Sequence, residues 1–442
     1  MGKYWKVTLP LLLAALVVGI GAARTLLRPM SRDTGAATEN VGRGKAVNAL
    51  PLVGTASCSA RGCHGSVEPA ADPDRCGQNE YTRWAHDRHA DAYRVLFDER
   101  ARNIVKHLGG VSMAHEDPRC LACHVTPPLA SLPQNSAFVQ EEKLFGVGCE
   151  SCHGSATNWL VPHTAPDWRQ KKAAYAMPDL ADPVLHAKAC VGCHIGAAAD
   201  KDIPLRDVNH DLIAAGHPRL TFEFGSYQAN MPAHWRPKKK SEARLWAVGQ
   251  IVSAEAALAL SAQRATNRTS PWPEFAEYDC FACHHGLAEP SWRQTQPRRT
   301  RPGTLPWGTW YFALTRDLAG DLPALDAFEK TMQTPSPDRA LAVKQAKAAL
   351  TQLQTVRAPT DLARQRVLDR FQSGVLSIDP SWDGAEQIYL ALHALSPSEA
   401  LNKLAPERAF APGFDSPVSA PRLGHAAFRP SGFIEKLKGL PK

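Results

Sequence analysis

The chain has 442 residues, 44% of them hydrophobic and 21% charged. That balance excludes an intrinsically disordered chain and leaves length for about two domains. Taken alone, the formal net charge of +8 points toward acidic partners or nucleic acid.

Lys3 and Lys6 precede an uncharged run from Val7 to Ala23, and Arg24 and Arg28 follow it. The length lies between a signal-peptide core and a membrane span. Gly21-Ala22-Ala23 offers small residues for cleavage, but Leu26 and Leu27 extend the apolar stretch, so residues 1–30 read as an anchor in preference to a cleaved signal. Either reading exports the chain, to the periplasmic side of the cytoplasmic membrane. Residues 31–54 read as a polar tether.

Five times in the next stretch two cysteines are followed directly by a histidine: Cys58/Cys63-His64, Cys120/Cys123-His124, Cys149/Cys152-His153, Cys190/Cys193-His194 and Cys280/Cys283-His284. Four have Cys-x-x-Cys-His spacing, and the first has four residues between its cysteines. This is the pattern of c-type haem attachment: two thiols on one short turn bond the two vinyl groups, and the histidine lies under the iron as proximal ligand. Zinc is the rival, but paired-cysteine zinc sites need no histidine at that position. Five copies predict five haem c groups. The motifs use ten of the 11 cysteines; Cys76 is left over and is given no role.

Five haems bring propionates worth about −10, which leaves the loaded protein at roughly −2. Arginines and lysines therefore read as propionate partners, and nucleic acid is not expected as a partner. The Lys238–Lys240 run reads as a solvated loop.

Glycine, proline and polar clusters interrupt residues 55–290, and no strand alternation persists. Roughly 45 residues per haem implies that the porphyrins supply much of the core. Leu96, Ile104, Val105 and Leu108 mark one helical face, ended by Gly109-Gly110. Trp159, His163 and Trp168 cluster in sequence. Ser241 is a good cap for a long helix that leads back to the fifth motif.

Twelve histidines lie outside the motifs, and ten fall in this segment: His86, His89, His107, His115, His163, His186, His210, His217, His234 and His285. Such enrichment points to distal ligands. Of the methionines only Met113, Met177 and Met231 lie here, so bis-histidine ligation, with low potentials, is the better reading. His285 adjoins a proximal histidine and cannot reach the opposite face of the same haem.

The stretches CSARGCHG, WAHDRHADAY, RCLACH, GVGCESCHGSATNWLVPH, CVGCHIG, NHDLIAAGHPRLTFE and YDCFACHHGL resemble the cytochrome c-554 type of multihaem cytochrome c. GVGCESCHG and AGHPRL carry the resemblance most specifically. It implies closely stacked haems that pass electrons, and distal roles for His89, His163, His217, His210 and His234. His86, one helical turn before His89, competes for the first assignment. The best-known relative has four haems, whereas this chain has a fifth motif. The wider group includes enzymes that reduce nitrite or oxidise hydroxylamine; the nitrite reductase type carries a Cys-x-x-Cys-Lys motif, which this sequence lacks.

Residues 286–340 are rich in proline, tryptophan and arginine and read as an irregular wrap. Residues 338–354, 360–371 and 382–394 carry helical periodicity, and the tail from Ala409 reads as loosely structured. His393 and His425 read as ordinary histidines. The expected fold is mainly α, with short helices and loops wrapped around haems in residues 55–290 and a helical region within 291–442. The expected function is an electron carrier between redox partner proteins, with no catalytic residues. The alternative is an oxidoreductase with one open haem acting on a small nitrogen oxide or oxyanion.

Overall fold

The computed structural model describes residues 52–68, 79–110, 113–200, 203–231, 242–284, 303–356, 361–374, 381–404 and 430–440. The chain divides into two units, Met1–Ala49 and Leu50–Lys442, and every described residue lies in the second. The expected anchor and most of the tether therefore lie outside the described residues, as do Cys76, His234, Lys238–Lys240, Ser241, His285 and His425.

The described residues are mainly α-helical. The β-structure in them comprises a two-residue antiparallel pair, Gly196 opposite Asp207 and Ala197 opposite Arg206, and two isolated bridges. Short helices and 3-10 turns make up much of the described part of residues 55–231.

The organising element is the helix Glu242–Thr266. It is buried nearly all round, by Leu245, Trp246, Ala247, Val248, Ile251, Val252, Leu258 and Leu260 among others, as expected of a helix without a polar face. It is long and apolar enough to cross a membrane, yet its apolar window is 83% buried inside the fold. Two of its buried polar side chains are paired internally, with Gln250 donating to Gln387 at 3.0 Å and Ser261 to Glu277 at 2.7 Å. Against it pack the motif-bearing helix Pro183–His194, the helix Phe224–Asn230, and from the C-terminal third the helices Arg339–Gln354 and Trp382–Leu395. Ala342, Ala346, Ala349 and Leu353 are all 0% exposed, so small residues at helical spacing let Arg339–Gln354 approach its neighbours closely.

Gly249 is the tightest point of this packing. A Cβ there would lie 2.5 Å from Cβ of the fully buried Phe224. Helix propensity favours alanine by about 1 kcal/mol, but overpacking a tight core costs about 1–3 kcal/mol. Gly249→Ala is therefore expected to lower the thermal midpoint, and a midpoint raised above wild type would refute this reading of the contact.

Two expectations fail. The irregular wrap over residues 286–340 contains helices Thr315–Ala319 and Pro323–Met332. Pro323 reads as a breaker in sequence but stands at the first helical position, where its missing N–H is harmless. Leu325, Phe328 and Met332, spaced as one helical face, are all 0% exposed. The tail from Ala409 ends in a helix, Pro430–Lys438, with Phe433, Ile434 and Leu437 buried in a cluster with Tyr389 and Ile388.

Candidate haem sites

Sites 1 to 5 take the numbers of their motifs. At site 1, a 3-10 turn, Thr55–Cys58, leads into the wide loop that ends at His64. Site 2 closes the helix Pro118–His124, and site 4 closes the helix Pro183–His194. Both helices start in the same way: Asp117 and Asp182 accept from the backbone N–H two residues on, at 2.9 and 2.7 Å, and a proline follows each. This Asp-Pro cap is a sequence signal for where the motif helix begins. Site 3 occupies the single turn Glu150–His153, and site 5 the 3-10 turn Cys280–Ala282 with His284 following.

Four motif histidines face another imidazole across a nearly constant gap. The ring centres of His64 and His163 are 6.2 Å apart, those of His194 and His89 6.0 Å, those of His124 and His217 6.4 Å, and those of His284 and His210 6.2 Å. Two imidazoles that share one metal, each with its nitrogen about 2 Å from it, have ring centres about 6 Å apart. The planes are near parallel at sites 1 and 5, at 19° and 24°, and near perpendicular at sites 2 and 4, at 89° and 86°.

The outer nitrogens are held in place. His64 Nδ1 donates to Glu80 Oε2 at 2.9 Å, His89 Nδ1 to Asp87 Oδ1 at 2.5 Å, His124 Nδ1 to the Ala92 carbonyl at 2.6 Å and His217 Nδ1 to the Pro218 carbonyl at 2.8 Å. His163 Nδ1 donates to the Leu160 carbonyl. Each acceptor is an oxygen, so Nδ1 carries the hydrogen and Nε2 keeps its lone pair for a metal. Burial pushes the His194 imidazole down to about 4, helped by the charge of His89. Burial also lowers His124, against the pull of the Ala92 carbonyl. Both rings are thus neutral at neutral pH, as ligation requires. His64 is raised, chiefly by its hydrogen bond to Glu80. Paired imidazoles at this gap, each beside a two-cysteine motif, fit haem c.

The other histidines are placed differently. His86 is exposed, whereas His89, tied to Asp87, faces His194. His107 Nδ1 donates to the Ala215 carbonyl at 3.0 Å and pins the His217 loop. His115 stacks on Phe97 at 4.2 Å, and His186 is buried edge-on to Phe224 at 5.5 Å. Trp159 and Trp168 flank His163 at 5.6 and 6.2 Å.

The motifs are also tied to one another. Glu150, inside motif 3, accepts from Val53 and Gly54 ahead of motif 1, at 3.1 and 2.9 Å. The thiols of Cys58 and Cys149 lie close to each other, as do those of Cys123 and Cys193. Cys152 lies near Cys190 and Cys193 and is pushed up by burial first and then by them. Gly146 shows why GVGC is so particular. It has φ +60°, and a Cβ there would lie 2.5 Å from the His89 carbonyl oxygen. At Gly148 a Cβ would meet Thr55 Oγ1 at 2.0 Å, so motifs 1 and 3 close up only on glycine.

Sequence reasoning missed the carboxylates Glu80, Asp87 and Glu150. It also read arginines as propionate partners, but buried ones pair with the protein's own carboxylates. Arg219 meets Asp383 at 2.7 and 2.8 Å, and Arg264 meets Asp207 at 2.5 Å and Glu277 at 3.2 Å. A buried guanidinium left unpaired is costly.

Residues 73–154 match the family model described as cytochrome c554 and c-prime. That span contains motifs 2 and 3 and His89, and it is of the cytochrome c554 type of multihaem cytochrome. The match covers 82 of the 442 residues, and it supports a c-type cytochrome with haem c as cofactor and a part in electron transfer. No curated protein and no solved structure matches the chain.

Proposed function

We propose that this protein is a five-haem electron relay exported to the periplasmic side of the cytoplasmic membrane, held there by its N-terminal segment and exchanging electrons with redox partner proteins. The observation that carries the reading is the set of four imidazole pairs separated by 6.0–6.4 Å. Haem c supplies a one-electron ferric/ferrous couple. The cysteines of each motif would anchor it, and at sites 1, 2, 4 and 5 two imidazoles would hold the iron from both faces. Both rings at sites 1 and 2, and His89 at site 4, are fixed by outer hydrogen bonds, which would keep ligation the same in both oxidation states and reorganisation small.

The ties between motifs support an order of sites that differs from chain order. Glu150 and the Cys58–Cys149 contact join site 1 to site 3. Cys152 beside Cys190 and Cys193 joins site 3 to site 4, and the Cys123–Cys193 contact joins site 4 to site 2. His217 and His210, on one short helix and the turn after it, join site 2 to site 5. The relay therefore runs 1–3–4–2–5. Cys63 and Cys283, at its two ends, are the exposed thiols among the motif cysteines, which suits partner access at both ends.

His163→Ala tests the ligand assignment. Electron paramagnetic resonance of the oxidised holoprotein is expected to gain one axial high-spin signal at the expense of one low-spin signal, with haem content unchanged. Retention of every low-spin signal would remove His163 from site 1. A high-spin signal in the wild type that shifts with nitrite would point to an enzyme in place of a carrier.

A further inference from the structure

The outer hydrogen bonds of the paired imidazoles fall into two electrostatic classes. At site 2 both rings donate to neutral backbone carbonyls, of Ala92 and Pro218. At site 1, His64 donates to the carboxylate of Glu80, whose side chain is 11% exposed, while His163 opposite donates to the Leu160 carbonyl. At site 4, His89 donates to Asp87, 12% exposed.

A carboxylate on the outer nitrogen does two things a carbonyl does not. It draws the Nδ1 proton toward itself, which makes the imidazole a stronger donor and favours the ferric iron. It also places a full negative charge a short distance behind the ring, where partial burial reduces solvent screening. Both effects lower the reduction potential. Site 4 has a partial counterweight, since Arg206 Nη1 lies 3.9 Å from Cys193 Sγ. Site 1 has the opposite: Glu150 and Glu142 both lie close to Cys58.

We propose that Glu80, through its hydrogen bond to His64, is a positioning residue that makes site 1 the low-potential end of the relay, with Asp87 acting in the same sense and more weakly on site 4. The proposal rests on the haem-relay reading above. It gives the relay a direction, with electrons entering at site 1 and leaving toward site 5.

The test is a spectroelectrochemical titration of the full holoprotein with Glu80→Gln and Asp87→Asn, both of which keep a hydrogen-bond acceptor and lose the charge. Glu80→Gln is expected to raise the lowest one-electron step by at least a tenfold change in the ferric/ferrous ratio, 59 mV for one electron, with the remaining steps in place. Asp87→Asn is expected to raise a different step by less. All low-spin signals should persist in both. If both variants keep five haems and the wild-type low-spin signals while every step stays at its wild-type potential, the proposal is overturned. Should Glu80→Gln fail to load haem, Asp87→Asn decides by the same criterion. A wild-type protein with fewer than five haems would instead count against the relay reading itself.

Discussion

Replacing Cys280 and Cys283 together by alanine is expected to remove one covalent haem of five and leave the other four. The fifth motif sits outside the 73–154 family match, and Cys283 is exposed at the end of the order of sites. Its thiols are the only covalent link expected between that turn and a porphyrin, so losing both leaves His284 and His210 as the remaining holds. Two imidazoles without thioethers retain haem by coordination alone, which denaturing mass spectrometry does not preserve. The intact mass should therefore fall by one haem, and iron per chain should fall from five to four after desalting. An unchanged haem mass would mean that the fifth motif is never loaded.

Arg219→Ala is expected to destabilise the folded chain by about 3–5 kcal/mol, since it strands a buried carboxylate. Asp383 is 1% exposed and Arg219 9%, and the pair is bidentate at 2.7 and 2.8 Å, with Thr309 Oγ1 donating to the same carboxylate at 2.5 Å. Arg219 follows the ligand loop by two residues, while Asp383 lies in the first turn of the helix Trp382–Leu395. The pair therefore clamps the haem segment to the C-terminal helices. Tyr311 and Trp310 bond the carbonyls of Leu220 and Phe222 beside it, at 2.9 and 3.0 Å. Chemical denaturation measures the loss directly. The double variant Arg219→Met/Asp383→Leu should recover most of the stability, because the penalty comes from the unpaired charge and not from the absent bond. A single variant as stable as wild type would show that Asp383 finds another partner.

These two sites mark how far sequence reasoning reaches. Spacing alone located all five motifs, because thioether chemistry demands cysteines on one turn with histidine next. Periodicity located the helices Arg339–Gln354 and Trp382–Leu395, where an apolar face recurs within one element. The helix Pro323–Met332 escaped because proline at its start mimics a break. The match of His163 to His64, or of His89 to His194, is a property of the folded chain: the two rings lie roughly a hundred residues apart and nothing local links them. The choice between His86 and His89 was equally hidden. It turns on Asp87, which accepts from both the ring and the backbone N–H of His89. Burial alone would raise the Asp87 carboxyl, but those bonds bring it below its ordinary range. Within AGHPRL, Arg219 has its partner in a different third of the molecule.

The crossed imidazole pairs also govern timing. During synthesis His64 emerges long before His163, and His210 well before His284. Neither of these pairs can close on early threading, and loops this long are slow to close. At sites 1 and 2 the second histidine follows the motif in the chain, so a haem attached there early would await its second ligand, whereas at sites 4 and 5 the second histidine comes first.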